Sequence, residues 1–439
     1  MAQSSKSVLE CYTCKFLTYL MLIGIKHMNQ KRPMLSVAEA LETLLQAAAT
    51  SQMTEMVPTI SANGRVLTQA QCSNLHVPPM DNTQMDGYAV RSEDCVSGDT
   101  LLPVTQRIPA GLVGAELAAG SAARIFTGAF IPRGADAVVM QEQTRVEEID
   151  GQTFVRILHK PQKGEWIRRQ GEDILEGAEI LPAGTRLRAQ ELGLAASVGL
   201  AELPVAKILR VAVFFTGDEL SMPGEALRPG AIYNSNRFLL NGLLQNLKCE
   251  VTDYGIVPDN LAATRETLRK AAQEHDLIIT SGGVSVGEED HIRPAVEAEG
   301  HLNMWQIAVK PGKPLAFGQV NRATSGSAFF LGLPGNPVSS FVTFLLFVRP
   351  FILRCQGVQN VAPRAVPVRA DFDWLKADRR NEFLRAKLNA NGGLDLFPNQ
   401  SSGVLSSAVW GDGLIDVPAG TIFRKGEFVK FLPFDSLMY

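Results

Sequence analysis

The sequence predicts a multidomain α/β fold, in which a doubly wound α/β domain follows β-rich N-terminal lobes and precedes a small C-terminal β domain. Between residues 207 and 357, apolar runs of strand length alternate with segments of helical periodicity, as in parallel βαβ units. Residues 78–165 and 358–439 instead contain short alternating runs separated by Gly, Pro and Asn, which is typical of small β domains. A chain of 439 residues is long enough for about two to four domains.

The predicted segments are an N-terminal extension (1–33), a linker and helical domain (34–77 and 166–206), a β-rich domain (78–165), the α/β domain (207–357) and the C-terminal β domain (358–439). We expect the extension to be disordered. Its apolar run, 16–25, is too short to span a bilayer, and no small-residue cleavage site follows it. Met28 offers an alternative start of the chain.

Each element is predicted from its periodicity. A helix is expected to begin after Ser36, a typical N-cap, and to run to Ala49, and a second is expected over 189–198. In the α/β domain the predicted strands are 209–215, 250–257, 277–280, 304–309, 315–317 and 328–331, and the predicted helices are 237–247, 261–274, 292–298 and 337–355.

Composition excludes several classes of protein. With 46% hydrophobic and 20% charged residues the chain is expected to be globular. A net charge of −3 without a basic block argues against a nucleic-acid partner, and no segment predicts a membrane partner. The six cysteines are scattered and show no complete zinc-site spacing, which favours a reduced, cytoplasmic protein.

Three Gly-rich turns follow predicted strands. They are Thr216-Gly217-Asp218-Glu219, Thr280-Ser281-Gly282-Gly283-Val284-Ser285-Val286-Gly287 and Gly332-Leu333-Pro334-Gly335-Asn336-Pro337. Such turns gather at the carboxyl edge of a parallel sheet, where glycines let backbone N–H groups approach an oxyanion. Asn336 and Pro337 would open the long helix with free N–H groups. The alternatives are a plain βα turn at Gly282-Gly283 and simple helix capping at Asn336-Pro337.

Charged side chains accompany these turns. Lys310 and Lys313 flank a Pro-Gly turn and could face one oxyanion, although a solvated charged turn is the alternative. Glu219 and Asp290 follow glycine turns and suggest a divalent cation. Asp276 stands at a strand start, where a capping or turn role is the alternative. The motifs of P-loop and Rossmann nucleotide sites are absent from the sequence.

The β-rich segment has two further candidates, Asp86 and Thr127, each beside a turn glycine. From the residues alone, the pattern at both positions favours ordinary turns.

Together these motifs resemble those of the molybdopterin molybdenumtransferases, the family of the MoeA proteins and of the gephyrin E domain. The resemblance runs from about Pro33 to the C-terminus. The matching runs are 85–90 (MDGYAV), 124–129 (RIFTGA), 137–142 (AVVMQE), 167–173 (IRRQGED), 216–220 (TGDEL), 281–287 (SGGVSVG), 310–314 (KPGKP) and 333–339 (LPGNPVS). Two departures are His291 where Tyr is common and Asn399 where His is common.

The resemblance implies a molybdopterin-binding type of α/β domain and a Mg²⁺-dependent transferase. Such enzymes take adenylylated molybdopterin and molybdate, insert the metal into the dithiolene and release AMP. The implied partners are a second copy in a homodimer, the molybdopterin adenylyltransferase and other proteins of molybdenum-cofactor biosynthesis. The choice between molybdate and tungstate is finer than these motifs resolve.

The resemblance also implies roles for individual residues. Asp290, Glu219 and Asp276 would hold Mg²⁺ or position the reacting groups. Molybdate or the pterin phosphate would be bound by residues of the turns and of the C-terminal domain, namely Gly282, Gly283, Ser285, Lys310, Lys313, Pro334, Asn336, Pro337, Arg385 and Ser402. Asp86 and Thr127 would act catalytically in the cleft of the partner subunit.

Two other functions share part of this pattern. A molybdopterin adenylyltransferase has the α/β domain with its Gly-Gly loop, but usually stands alone without the β-rich domain. A scaffold like the gephyrin E domain clusters membrane receptors, but the sequence shows no linker or partner domain for that role.

Overall fold

The computed structural model describes residues 34–48, 53–284 and 291–438. The described chain forms two compact units. The first unit contains residues 34–48, 208–356 and 360–438, and the second contains 53–207 and 357–359. The fold class predicted from the sequence is confirmed, because the first unit contains the α/β domain and the C-terminal β domain and the second is rich in β structure.

The α/β domain is built on a six-stranded sheet. Its strands are β1 (Arg210–Thr216), β2 (Glu250–Val257), β3 (Leu277–Ser281), β4 (Gly300–Gln306), β5 (Pro314–Asn321) and β6 (Ser327–Leu333). In space they follow the order β2-β1-β3-β6-β5-β4. The first four in that order are parallel, whereas β5 and β4 are antiparallel to their neighbours. The carboxyl ends of β1, β3 and β6 therefore meet at one edge of the sheet.

Helices pack around this sheet, the first of them against the last helical segment. They are α1 (Val37–Ala47), α2 (Ser235–Asn246), α3 (Leu261–Glu274), α4 (Ile292–Glu299) and a last helical segment that is α-helical over Pro337–Thr343, a π-helix over Phe344–Val348 and α-helical over Arg349–Cys355. Asn234 and Asn260 cap α2 and α3 with their side chains, as Asn commonly does. The last segment is apolar and long enough to span a membrane, but 94% of it is buried inside the protein. It is therefore packed as a core helix.

Burial explains why the sheet forms. Every residue of β3 is buried, as expected for a parallel strand covered on both faces. One core cluster joins Phe214 of β1, Ile278 of β3 and Phe330 of β6 to apolar residues of α3 and α4.

The C-terminal domain is a second six-stranded sheet whose strands are Val309–Lys310, Val366–Ala370, Asn381–Leu388, Gly393–Leu396, Gly413–Val417 and Phe428–Pro433, with short helices over Ser406–Trp410 and Phe434–Met438. The first of these strands belongs in sequence to the α/β domain. It pairs in parallel with the strand that begins at Asn381, so a ladder joins the two domains.

The second unit contains the β-rich lobes. Its main sheet consists, in spatial order, of Ala137–Met140, Gly87–Val90, Ala122–Ile125, Thr100–Ile108, Gln152–Ile157 and Thr144–Ile149. Its other elements are the strands Thr54–Pro58, Gln71–Cys72, Asn82–Thr83, Ile167–Arg168, Glu179–Leu181 and Glu202–Ala206, and the helix Ala189–Ser197.

The segment 34–77, which the sequence analysis treats as continuous, is divided in the structure. Helix α1 lies in the first unit, whereas the described residues from Met53 onward lie in the second. The preceding Leu35 anchors α1, because its carbonyl accepts a hydrogen bond from the Ala308 N–H at 2.7 Å. The backbone hydrogen bond at Leu35 thus assigns α1 to the first unit, whereas the periodicity of the sequence does not show to which unit a helix belongs. The predicted extension 1–33 lies outside the described residues.

Candidate functional site

A cavity of about 640 Å³ lies at the carboxyl edge of the α/β sheet, in the first unit. It is lined by Thr216, Gly217, Glu219, Asp259, Gly282, Gly283, Val284, Ser339, Arg380 and residues 310–314, 334–336 and 400–402. All three predicted Gly-rich turns and the predicted lysine turn contribute to its walls. The structure therefore brings together motifs that are up to about 120 residues apart in the sequence.

The central turn needs its glycines. Gly282 has a φ of +102°, and a Cβ atom there would lie 2.9 Å from the carbonyl oxygen of Thr216. Its N–H donates to the Leu333 carbonyl at 3.1 Å, and Gly283 also has a positive φ, +61°. Only glycine fits such a backbone closely packed between two neighbouring turns. This central glycine turn is therefore fixed against both flanking turns.

A buried amide joins the second and third turns. The Nδ2 group of Asn236 donates to Ser281 Oγ at 2.8 Å and to the Gly335 carbonyl at 2.7 Å. Ser281 Oγ in turn donates to the Pro334 carbonyl at 3.0 Å. Both hydrogens of one amide are thus used, one for each turn. Sequence reasoning missed Asn236, since it lies in the first turn of α2 and looks like an ordinary helix residue.

The start of the long helix is only partly open. Asn336 is its N-cap and Pro337 follows, as predicted. However, the N–H group of Val338 donates to the carbonyl of Ser402 at 3.0 Å. This N–H group is therefore not available to an anion. Pro337 is not among the cavity-lining residues, whereas Pro334, Asn336 and Ser402 are.

The lysine turn packs against that same helix. Gly312 has a φ of +106°, and a Cβ atom there would lie 2.5 Å from Thr343 Oγ1. Lys310 donates from Nζ to Glu382 Oε1 at 2.6 Å. Lys313 is exposed at the cavity, and the described part of the chain offers it no ion pair. The two predicted lysines thus reach one cavity but differ in their partners.

Two carboxylates line the cavity, and one of them was not predicted. Glu219 lies there as expected, and Asp259 joins it from just beyond the end of β2. Within the described residues, no group of three His, Cys, Asp or Glu side chains lies close enough together to hold a metal ion. Asp259 could have been found by applying the strand-end rule to the edge strand as well.

Asp276 does not belong to this site, which corrects the prediction that it holds a cation there. It precedes β3, at the opposite end of that strand from Gly282. Its carboxylate accepts from the Arg210 N–H at 3.0 Å and lies 3.5 Å from the Arg322 guanidinium. Asp276 thus ties strand ends together at the amino edge of the sheet, consistent with the structural alternative.

Arg385 also differs from its predicted role. Its side chain is 1% exposed and does not line the cavity. The guanidinium donates to Ser407 Oγ at 3.1 Å, the Phe383 carbonyl at 3.2 Å and the Ser401 carbonyl at 3.3 Å. Burial lowers the pKa of Arg385 to about 10, so the group is still charged at neutral pH. Arg385 therefore supports the loop that carries Ser402.

Sequence reasoning missed further lining residues, namely Arg380, Gln400 and Ser401. Gln400 is recognisable only in three dimensions, because its amide bonds the backbone of Arg385 in both directions, at 2.9 and 3.0 Å. The predicted site residues Ser285 and Asp290 lie outside the described residues.

In the second unit, Asp86 and Thr127 lie in contact. Asp86 Oδ1 accepts hydrogen bonds from the Thr127 N–H at 2.7 Å and from Thr127 Oγ1 at 2.6 Å. The bond from the Thr127 hydroxyl, followed by that from its backbone, holds the pKa of Asp86 below its usual value of 3.8. The carboxylate is therefore ionised at neutral pH.

Comparisons with known proteins match the whole architecture. Family models match residues 35–199 (MoeA N-terminal region, domain I and II), 212–354 (probable molybdopterin binding domain) and 367–434 (MoeA C-terminal region, domain IV). The molybdopterin molybdenumtransferase of Haemophilus influenzae is 39% identical over 412 residues, covering 92% of this chain and all of that protein. The enzyme of the same name from a Nostoc species is 37% identical and covers 93% of this chain and 95% of that protein.

Solved structures agree with these matches. A crystal structure of the molybdopterin biosynthesis moeA protein from Pyrococcus horikoshii has a TM-score of 0.79 and 30% sequence identity, and covers 91% of this chain and all of that one.

Proposed function

Because the chain belongs to the MoeA family of molybdopterin molybdenumtransferases, we propose that it transfers molybdenum from molybdate to molybdopterin in the cavity of its α/β domain. The protein is accordingly a transferase of molybdenum-cofactor biosynthesis. The observation that carries this proposal is the composition of one cavity, in which Lys310 and Lys313 lie with Gly-rich turns and the carboxylates of Glu219 and Asp259. The lysines suit an oxyanion, and the carboxylates suit a cation beside it.

The finer proposal concerns the substrate. We propose that the pterin enters in adenylylated form and that AMP leaves when the metal enters the dithiolene. The backbone N–H group of Gly283 and the part of the helix start that stays open at Asn336 would bind phosphate oxygens. Lys313, without a carboxylate partner among the described residues, would bind molybdate.

Magnesium fits the donors of this cavity. Mg²⁺ keeps several waters and usually binds proteins through one or two carboxylates together with substrate phosphates. Glu219 and Asp259 supply two carboxylates to the cavity wall, and we propose that Asp290 is a further ligand. When bound, Mg²⁺ would neutralise charge on the phosphates and polarise the bond that breaks. Replacing Glu219 by Gln should raise the Mg²⁺ concentration needed for half-maximal activity.

The decisive experiment is incubation of the purified protein with adenylylated molybdopterin, molybdate and Mg²⁺. AMP release together with a molybdenum-loaded pterin would support the proposal. Formation of adenylylated molybdopterin from free molybdopterin and ATP would instead identify an adenylyltransferase. If neither product appears with any of these substrates, the proposed activity is wrong.

We further propose that the protein works in the cytoplasm as a homodimer, receiving its substrate from a molybdopterin adenylyltransferase. The family resemblance supports a dimer in which Asp86 and Thr127 of the partner subunit act at the cavity. Inactive Asp86→Ala and Glu219→Ala subunits, when mixed, would then recover up to about a quarter of the wild-type sites. No recovery after verified subunit exchange would contradict the shared site.

A further inference from the structure

Lys310, which lines the cavity, forms an ion pair with a buried carboxylate, that of Glu382. The Lys310 side chain is 42% exposed, whereas that of Glu382, its partner at 2.6 Å, is only 4% exposed. Lys310 lines the cavity and Glu382 does not. The Glu382 carboxylate is thus buried outside the cavity lining, and the Lys310 ammonium group lies between it and the cavity.

The backbone fixes Glu382 opposite Lys310. The two residues are register partners in the parallel ladder between Val309–Lys310 and the strand Asn381–Leu388. Each oxygen of the carboxylate has its own donor, Lys310 Nζ on Oε1 and Trp374 Nε1 on Oε2 at 3.2 Å. Two different donors on two oxygens define one orientation of the carboxylate.

A second carboxylate nearby is engaged elsewhere. Asp378 Oδ2 lies 3.5 Å from Lys310 Nζ, too far for a strong hydrogen bond. Asp378 instead accepts hydrogen bonds from the Arg380 guanidinium at 3.2 Å. These bonds lower the pKa of Asp378 to about 2, although burial acts in the opposite direction. Glu382 is therefore the group that determines where the Lys310 ammonium lies.

We propose that Glu382 is a positioning residue for the transfer reaction, holding the Lys310 ammonium where it meets the molybdate oxyanion. This inference rests on the proposed function. It means that the C-terminal domain sets the geometry of an anion-binding lysine of the α/β domain. A carboxylate that only neutralised Lys310 would act in the opposite direction, since its removal would then strengthen anion binding.

A double-mutant cycle tests this on the full-length protein. Dissociation constants for molybdate are measured by equilibrium dialysis, with molybdenum quantified on both sides, for wild type, Lys310→Met, Glu382→Gln and the double variant. If Glu382 acts through Lys310, Glu382→Gln alone weakens binding about three- to tenfold and has no further effect in the Lys310→Met background. In turnover, the KM for molybdate should rise while the KM for the pterin substrate stays within about twofold.

A matched control is Asp416→Asn. Asp416 pairs with Lys430 at 2.8 Å in the same sheet, and neither residue lines the cavity. This variant should bind molybdate as the wild type does. If it weakens binding as much as Glu382→Gln does, the effect comes from general destabilisation of the sheet and the inference is wrong.

Trp374→Phe covers the case in which Glu382→Gln does not fold. It keeps the charge of Glu382 but removes the hydrogen bond to Oε2. It should weaken molybdate binding in the same direction, and only when Lys310 is present. Unchanged or tighter binding, or effects that add in the double variant, would overturn the positioning role.

The two proposals fail in different ways. Molybdate binding with the predicted cycle but without turnover would refute the transferase function and keep the positioning role. Turnover together with additive effects of Lys310→Met and Glu382→Gln on molybdate binding would support the transferase function and refute the positioning role. If the wild-type protein neither binds nor uses molybdate, both are wrong.

Discussion

Asp86 accepts two hydrogen bonds from a single residue, Thr127, through the backbone N–H at 2.7 Å and the side-chain hydroxyl at 2.6 Å. The pair closes a loop between two segments about forty residues apart in the sequence. Because both bonds reach the same oxygen, Oδ1, the other oxygen of Asp86 receives no bond from Thr127.

Thr127→Val should raise the pKa of Asp86 toward 3.8 without reaching it, since the backbone bond remains. A lowered carboxyl pKa stabilises the fold above the unfolded value of 3.8, and this contribution is lost as the pH falls through the folded-state pKa. The variant should therefore be less stable than the wild type at neutral pH, and the difference should disappear in acid. Carboxyl ¹³C titration measures the pKa of Asp86, and denaturation at neutral and at acidic pH measures the difference in stability. Thr127→Ser, which keeps the hydroxyl, is the control, and equal Asp86 pKa values in Val and wild type would contradict the assignment.

Gly282→Ala should destabilise the first unit by roughly 1–3 kcal/mol, because the left-handed backbone is strained for alanine and the new Cβ atom would collide with the Thr216 carbonyl. Gly335→Ala is the matched control in the same cavity, since its Cβ atom would lie 3.7 Å from the nearest heavy atom. Chemical denaturation compares the two. Equal losses in both variants would show that the close approach at Gly282 is not the cause.

Lys313→Ala should weaken the binding of molybdate and leave the stability of the fold nearly unchanged. A charge-assisted bond to an anion contributes roughly 1.5–3 kcal/mol, which corresponds to a rise of roughly ten- to a hundredfold in the KM for molybdate. Lys310→Ala should in addition lower stability, because it leaves the buried Glu382 carboxylate without its cation. Lys387→Ala, at an exposed lysine outside the cavity, is the control. A molybdate dependence that Lys313→Ala leaves unchanged would refute this role.

Arg385→Lys should lower the free energy of unfolding by at least roughly 2 kcal/mol, because a lysine cannot replace the three guanidinium bonds inside the C-terminal domain. Its activity should fall because the loop carrying Ser402 loses support. Arg379→Lys, at an exposed neighbour, should change stability by less than about 0.5 kcal/mol. A fully stable Arg385→Lys variant that loses only pterin binding would restore the ligand-binding role first expected for Arg385.

The sequence predicts the α/β domain well because its central strands are mostly apolar and its helices are regularly periodic. The helix expected over 237–247 is observed at Ser235–Asn246, and the one expected over 261–274 is observed at Leu261–Glu274. The short strand expected over 315–317 is longer, Pro314–Asn321, since the antiparallel partners on both sides extend it.

The site was predictable where backbone geometry requires a particular residue type. Glycines such as Gly282 and Gly312 carry that requirement in the sequence itself. Asp276 was misassigned because the role implied by the family resemblance was preferred to its position at the start of a strand. Arg385 was misassigned because residue type does not reveal whether a guanidinium is buried. Glu382 and Asn236 were missed for a related reason, since their roles depend on partners more than forty residues away.

The Asn236 amide has a consequence for how a ligand is accommodated. With one hydrogen on Ser281 and the other on the carbonyl of Gly335, it keeps the distance between two turns constant before anything binds. The loss of loop entropy then occurs during folding and does not oppose association. The fixed spacing of the two turns would consequently restrict which substrate shapes fit between them. A molecule that needed the turns further apart would have to break a buried hydrogen bond to bind.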